Sequence, residues 1–464
     1  MGLMESARTT IELTEPVTLW RRWLAADNTS SARRVLAGAL TVGGFTVLAK
    51  LAMAAQTLAL AYRFGVGDAT DAFVMATLGP LFAVAVLGGA FESSLIPTYI
   101  RVREQDGRAP AAAVFGAVLG WTILGLSILS LMMALALPWG VPALAPRFTT
   151  AKLGLTISLA LWMTPVLLLR GSGKLWRAVL NADERFVAAA AIPALTPLVV
   201  VTAIAAAGHH GIQVAAMATL AGAVLEVCIL VWLMRRHGIR VRPVLGRLSP
   251  EARQVLRQYA PMAAGAALMA GTMIADQVMA ARMSAGSVST LTFAGQVVAV
   301  ICVIPSLALG TSAAPQFSRM IARGDWRALR STWSTYTRWI WRGSVPLTLL
   351  LILCSPLLAK LLFERGAFTA ADTAQVAQAQ AYYLLQAPFY LAGTLGARLL
   401  SALLLNDNLF WIAGVSLALK VILNYVLADW MGVAGIALAT SLMYLFSWTA
   451  IGGCLRRRLA REAA

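Results

Sequence analysis

Charged side chains are scarce in this sequence. Only 12% of its 464 residues are Asp, Glu, Lys or Arg, whereas soluble domains carry about 25%. Apolar residues make up 59%, and the mean hydropathy is +0.75. That balance excludes an ordinary water-soluble domain, and apolar runs of roughly 20 residues recur along the chain. The composition predicts an all-α polytopic membrane protein.

Metal-ligating side chains are also few, with four cysteines and three histidines. All four cysteines lie in apolar runs without CxxC spacing, which favours small buried side chains over a disulfide or a metal site: Cys228, Cys302, Cys354 and Cys454. His209 and His210 have no third ligand beside them. No nucleophile–base set is visible either. We therefore predict no metal, no resident cofactor and no enzymatic activity, although transport coupled to a monovalent cation or to the membrane potential is possible.

Acidic residues are outnumbered by basic ones, 20 to 38, which gives a formal net charge of +18. The basic residues lie in short loops between apolar runs and not in one patch, which argues against nucleic acid. They follow the positive-inside rule if the N-terminus is cytoplasmic. The predicted outer loops then hold few basic residues, among them Arg63, Arg147, Lys152 and Arg365. We predict a multi-pass protein of a bacterial inner membrane with both termini cytoplasmic.

The apolar runs predict about twelve spans, at 35–61, 72–98, 111–137, 153–172, 186–207, 212–234, 258–281, 288–314, 341–362, 374–404, 409–428 and 433–454. Similar stretches recur in the two halves, such as Gly208–Ile212 and Gly432–Ile436. Two parallel six-helix lobes around a central cavity are therefore expected. The predicted organisation is a cytoplasmic or interfacial N-terminal segment at 1–34, an N-lobe at 35–234, a basic linker at 235–257, a C-lobe at 258–455 and a basic tail at 456–464.

Six ionisable residues fall inside the predicted spans and away from their ends, at a depth where each charge costs at least about 2.5–3.5 kcal/mol. Three are cations, which we predict to bind an anionic head group: Lys50, Arg398 and Lys420. Three are acids that would line the cavity or couple transport, joined by the polar Asn424: Glu92, Glu226 and Asp276. The alternatives are that Glu226 pairs structurally with a loop arginine, that Arg398 snorkels to the surface, and that Asn424 bridges helices.

Two stretches resemble the signatures of the MurJ/MviN lipid II flippase family. The first is Phe64-Gly-Val-Gly-Asp-Ala-Thr-Asp-Ala-Phe73 with its continuation, and its motif residues are Gly65, Gly67, Asp71, Phe73, Gly89, Phe91 and Pro97. The second begins at Leu362, and its motif residues are Glu364, Arg365, Gly366 and Phe368. The resemblance covers roughly 35–455. It implies the fold of the multidrug/oligosaccharidyl-lipid/polysaccharide exporter superfamily and flipping of an undecaprenyl-diphosphate-linked glycan. Glycan synthesis or polymerisation machinery would be a partner.

The chain departs from the family at several cavity arginines. The aligned positions hold Gln56, Ala83, Val84 and Gln296, and Gln296 would be a polar cavity residue instead. A lipid-linked exopolysaccharide unit therefore remains open as the substrate beside lipid II. Two other functions also remain open, namely a cation-coupled multidrug antiporter of the same superfamily and a non-transporting cell-envelope scaffold. The antiporter would have a cavity dominated by acids and aromatic rings.

Overall fold

The computed structural model describes residues 31–183, 185–239, 241–246 and 249–461, with side chains except at 31–42, 87–94, 258, 260–262, 303–304, 307–312 and 314. These residues form fifteen α-helices and no strand. The helices are α1 (Ser31–Phe64), α2 (Asp68–Gln105), α3 (Arg108–Leu144), α4 (Thr150–Ala182), α5 (Phe186–Ala191), α6 (Leu195–Ala207), α7 (Gln213–Arg236), α8 (Pro250–Ala281), α9 (Ser287–Ala322), α10 (Trp326–Leu353), α11 (Ser355–Phe363), α12 (Ala370–Leu384), α13 (Ala387–Ala402), α14 (Asn406–Met431) and α15 (Val433–Arg461).

The all-α membrane class is confirmed. Nine helical segments of the described chain, one of them α5 and α6 taken together, are long and apolar enough to cross a membrane, and α10 with α11 would make a tenth span. The described parts of α9, α12 and α13 are too short or not apolar enough to count as spans by themselves. The count of twelve therefore stays a prediction. The interfacial helix predicted near Trp20 lies outside the described residues. The predicted tail at 456–464 continues α15 as far as Arg461.

Three predicted spans are broken, and each break lies beside a proline. Pro193 lies in a 3₁₀ turn between α5 and α6, and Pro388 lies in the first turn of α13. Pro356 lies in the first turn of α11, which is bent by 66° from α10. Proline has no amide hydrogen to donate and clashes with the preceding turn, so a helix ends or bends there.

Residues Val42–Ala464 form one compact unit. Within it α2 packs on α4, and α14 packs on α15, while α2 also packs on α8 from the other half of the chain. The buried apolar side chains form several clusters. One of them is built around Phe293, Phe363 and Phe368. Helices from the two halves of the chain thus contact each other directly, and the division into two lobes stays a prediction.

The segment between α7 and α8, predicted as a basic linker, lies along α3. The amide of Val244 donates to the carbonyl of Gly116 at 3.1 Å, and the indole of Trp121 donates to the carbonyl of Gly246 at 3.2 Å. A Cβ on Gly120 would lie 2.5 Å from the carbonyl oxygen of Val244. The two glycines of α3 therefore allow the linker backbone to approach this helix closely.

Candidate functional site

Asp71, in the first family-like stretch, lies at the centre of a polar contact between the two halves of the chain. Its carboxylate is 1% exposed in the first turn of α2. It accepts the amide of Gly286 at 2.7 Å, the amide of Ser289 at 2.8 Å and the Ser289 hydroxyl at 2.7 Å. These amides begin α9, whose own N-cap, Gly286, has no side chain. A carboxylate on α2 thus satisfies the orphan donors of a helix from the other half.

Lys152, at the start of α4, completes this contact. Its Nζ lies 2.7 Å from an oxygen of Asp71 and 2.7 Å from an oxygen of Asp68, and 4.0 Å from the centroid of the Phe148 ring. Lys152 was predicted among the outer-loop charges, but its side chain is buried. An ammonium leaves water only where carboxylates compensate its lost hydration. We call the set Asp68, Asp71, Lys152, Gly286 and Ser289 the Asp71 junction.

The two family-like stretches meet beside this junction. The amide of Ala367 donates to the carbonyl of Tyr62 at 2.9 Å. Gly65 and Gly366 both have a positive φ, at 65° and 64°. A Cβ on Gly65 would lie 2.6 Å from the carbonyl oxygen of Ala367, and one on Gly366 would collide with the carbonyl oxygen of Tyr62. Both positions require glycine, because of their conformation and because of the close approach.

The other described motif residues lie at a helix cap, in apolar clusters or at the surface. Gly67 is the N-cap of α2, while Phe73 and Phe368 are buried in apolar clusters. Arg365 is exposed and donates to the carbonyl of Leu361, and Glu364 is half-buried. Pro97 is exposed on α2. Gly89 and Phe91 lie in the stretch whose side chains are not described, as does Glu92.

Asp276 is the centre of a second polar cluster, inside the second half of the chain. Its carboxylate receives the Lys420 ammonium at 2.8 Å, the Asn424 amide at 3.0 Å, the Thr440 hydroxyl at 3.2 Å and the Tyr383 hydroxyl at 3.4 Å. These side chains come from α8, α14, α15 and α12. Lys420 is only 2% exposed. We call these five residues the Asp276 cluster. Lys420, predicted as a cavity cation that binds the head group, is paired with a buried acid in this structure.

A cavity of about 970 Å³ opens beside this cluster between α8, α13, α14 and α15. Four aromatic side chains and four Ser or Thr side chains line it: Phe389, Tyr390, Phe410, Tyr444, Thr272, Thr394, Ser416 and Ser447. Asp407 is the one charged residue among the described lining. We call this space the second-half cavity.

The second-half cavity lies between the start of α14 and the Asp276 cluster. Its rim holds Asn406 and Asp407, which are exposed at the start of α14. Its lining residues Thr272, Ser416 and Tyr444 each lie four residues, about one helical turn, from a member of the Asp276 cluster. The described lining therefore extends from the predicted cytoplasmic end to about one helical turn from the Asp276 cluster.

The remaining predicted site residues lie apart from this cavity. Lys50 and Arg398 are exposed, and Arg398 follows the lining residue Ala397. Glu226 is buried and accepts the hydroxyl of Thr196, so it joins α7 to α6. Gln296 accepts the hydroxyl of Thr57 at 3.5 Å. Within the described residues no three His, Cys, Asp or Glu side chains gather as metal ligands. The roles of these residues in transport stay predictions.

Sequence reasoning found Asp71 as a motif residue but missed its partners. The signal available was a pair of acids, Asp68 and Asp71, in a first helical turn. Nothing local to Lys152, Gly286 or Ser289 indicated that they meet, because those contacts join residues far apart in the chain.

The sequence is similar to those of known lipid II flippases. The family model described as lipid II flippase MurJ matches residues 60–463. The chain is 26% identical over 361 residues to a probable lipid II flippase MurJ of Rhizobium meliloti (strain 1021), covering 75% of this chain and 67% of that protein. It is 26% identical over 364 residues to the lipid II flippase MurJ of Burkholderia cenocepacia, covering 74% and 69%.

Solved structures show the same fold. An inward closed conformation of lipid II flippase MurJ matches with a TM-score of 0.77 at 18% identity, covering 90% of this chain and 87% of that one. An inward-facing multidrug resistance MATE family transporter of the MOP superfamily matches with a TM-score of 0.71 at 15% identity, covering 92% and 98%. The match of the family model over nearly the whole chain shows that this protein belongs to the MurJ lipid II flippase family.

Proposed function

We propose that this chain moves a lipid-linked glycan precursor from the cytoplasmic to the periplasmic leaflet, with lipid II as the substrate suggested by its relatives. The observation that carries the proposal is an asymmetry along the bundle. The Asp71 junction joins the halves at the predicted periplasmic end, while the second-half cavity opens at the predicted cytoplasmic end. A carrier that loads from the cytoplasm has this arrangement before it moves its load.

Alternating access then requires the Asp71 junction to break. Opening the outer end would separate α2 and α4 from α9, and would strip Asp71 of three donors from the other half of the chain. Hydrogen bonds to a charged group contribute about 1.5–3 kcal/mol each. The opening step therefore needs interactions with the substrate, or another energy source, that compensate the lost contacts.

The second-half cavity suits an uncharged part of the substrate. Its described lining has aromatic faces and hydroxyl groups but no Lys or Arg. A diphosphate needs cations or amide donors when it leaves water. Lys50 and Arg398 are exposed and available for that group, whereas the charge of Lys420 is already balanced by Asp276.

The proposal places the protein in a bacterial inner membrane with both termini cytoplasmic. Glycan synthesis or polymerisation machinery would receive the flipped precursor.

The Asp276 carboxylate is already contacted by four protein donors. We therefore propose coupling to the membrane potential in preference to a cation bound at Asp276.

Leaflet accessibility in cells depleted of their resident lipid II flippase tests the function. The chain should restore cleavage of lipid II by an enzyme added outside. Asp71→Asn at equal abundance should not, because alternating access also requires the outer end to close again after each release. If lipid II stays inaccessible while a lipid-linked exopolysaccharide unit becomes accessible, the substrate is the latter. If neither precursor reaches the outer leaflet, the flippase proposal is wrong.

One observation favours a second candidate, a multidrug antiporter. Aromatic rings with a single acid, Asp407, form a lining suited to cationic amphiphiles. Expression in a host without its own drug exporters distinguishes the two. An antiporter would raise the tolerated concentration of a cationic dye and lose this effect in Asp407→Asn, whereas a flippase would leave tolerance unchanged.

A further inference from the structure

A second, smaller cavity lies at the predicted periplasmic end of the first half, away from the Asp71 junction and the second-half cavity. It has a volume of about 250 Å³ between the last turns of α1 and α6. Its walls are apolar at Ala59, Val201 and Ile204, and its nitrogen-bearing side chains are Arg63 and His209. We call it the Arg63 pocket. The transport mechanism proposed above uses none of these residues.

Arg63 is positioned by the backbone of the turn that follows α6. A Cβ on Gly208 would lie 3.1 Å from Cγ and 3.2 Å from Nε of Arg63, so the arginine side chain lies directly along this glycine. No carboxylate among the described residues forms an ion pair with Arg63. The arginine and His209 are both exposed at the rim of the pocket. The pocket therefore presents an uncompensated cation and an imidazole above an apolar wall.

The level of the pocket in the membrane follows from the ends of its helices. α1 ends at Phe64 and α6 ends at Ala207, so Arg63 and His209 lie at the end of the apolar segments. Tyr62, an exposed aromatic residue of the kind enriched at the membrane–water boundary, also lines the pocket. Apolar walls below a cationic rim at this level match a phospholipid, with its acyl chain below and its phosphate above.

We propose that the Arg63 pocket binds the phosphodiester group of an anionic membrane phospholipid in the periplasmic leaflet. The guanidinium of Arg63 donates to the phosphate oxygens, His209 donates a further hydrogen bond, and an acyl chain lies along Ala59, Val201 and Ile204. The pocket is smaller than the roughly 300–1,000 Å³ of a drug-sized ligand site, so it does not suit a glycan head group.

Lipid binding to the purified full-length chain in detergent, measured by native mass spectrometry, tests the proposal without measuring transport. Phosphatidylglycerol should bind more tightly than phosphatidylcholine. The ratio of their two dissociation constants should fall about fivefold in Arg63→Gln. His209→Gln should weaken binding less. Ala205→Trp, which fills the pocket and leaves both polar groups in place, should also reduce binding. Arg147→Gln is the matched control, because Arg147 is exposed at the same end and does not line the pocket.

Equal phosphatidylglycerol binding by the wild type, Arg63→Gln and Ala205→Trp would overturn the proposal. An equal loss in Arg147→Gln would overturn it too, because it would show only attraction by net charge. If undecaprenyl diphosphate binds at Arg63 and phosphatidylglycerol does not, the pocket belongs to the substrate path and the phospholipid assignment is wrong. Unfolding midpoints measured without lipid show whether Arg63→Gln folds. If it does not fold, Ala205→Trp and His209→Gln decide the outcome.

Discussion

Asp276 and Lys420 hold opposite charges 2.8 Å apart in the interior of the second half. Removing one partner leaves a buried charge without compensation, which typically costs about 3–5 kcal/mol. We expect Lys420→Ala to lower the unfolding midpoint strongly in detergent. The double variant Asp276→Asn/Lys420→Met should recover most of that loss, because neither charge remains.

Lys360→Ala provides the control for this pair, since Lys360 is exposed and belongs to no ion pair among the described residues. It should leave the midpoint nearly unchanged. A double variant no more stable than Lys420→Ala would show that the pair is not what stabilises this part of the chain.

Lys50 and Arg398 are exposed cations, and their predicted role is to hold the diphosphate. Truncating one cation of a charged contact costs about 2–5 kcal/mol, roughly a thirtyfold or larger loss of affinity. Lys50→Ala and Arg398→Ala should each impair flipping at equal abundance, and Lys50→Arg should retain much of it. If Lys50 instead pairs with Glu92, the double variant Lys50→Ala/Glu92→Ala would restore flipping in the leaflet accessibility assay.

At the scale of elements, one carboxylate on α2 caps the start of α9. We expect Asp71→Asn to loosen the contact between α2 and the start of α9, because the asparagine side chain accepts hydrogen bonds through one oxygen only. Lys152 would then remain paired with Asp68 alone. A cysteine at Ser287, which is buried at the start of α9, should react with an impermeant maleimide about tenfold faster in this variant. A cysteine at the exposed Ser284 should react equally fast with and without Asp71→Asn, and an unchanged rate at Ser287 would argue that the Asp71 junction does not hold α9.

The turn at Gly366 is the second element-scale contact. Its φ of 64° and the collision of an added Cβ with the carbonyl of Tyr62 make Gly366→Ala unfavourable by more than about 1 kcal/mol. The unfolding midpoint should fall. Gly125→Ala is the matched helical control: its Cβ would meet nothing within 4 Å, so the midpoint should hold or rise. Equal midpoints for the two variants would contradict the required close approach at Gly366.

At the scale of the whole molecule, the charge distribution predicts the orientation. Cysteines at Ser284 and Ala370, both exposed at the predicted periplasmic end, should react with an impermeant reagent added to intact cells. One at Gly246, exposed in the segment between α7 and α8, should react only after the cells are opened. Labelling of Gly246 from outside would reverse the topology and the proposed direction of transport. Ser289 is unsuitable as a reporter because it is buried in the Asp71 junction.

The helices could be predicted because their signal is local: apolar runs of sufficient length, ended by glycine, proline or charge. The family could be predicted because Asp71 and Gly366 lie in continuous motifs. The pairing of Lys420 with Asp276 could not be predicted, since a single sequence does not show that α8 brings Asp276 beside it. The role of Lys152 was missed for the same reason. Pairing between distant helices is a tertiary property, whereas helix length and hydropathy are properties of the segment.

The Asp71 junction also bears on inhibition. A ligand that binds only an outward-open form has its apparent dissociation constant raised by the reciprocal of that form's population. If the buried contacts of Asp71 keep this form near about 1%, an inhibitor supplied from the periplasm binds about a hundredfold more weakly than its contacts alone would allow. A compound that reaches the second-half cavity from the cytoplasm meets no such penalty. Inhibitor screens against this chain should therefore favour molecules that cross the membrane before they bind.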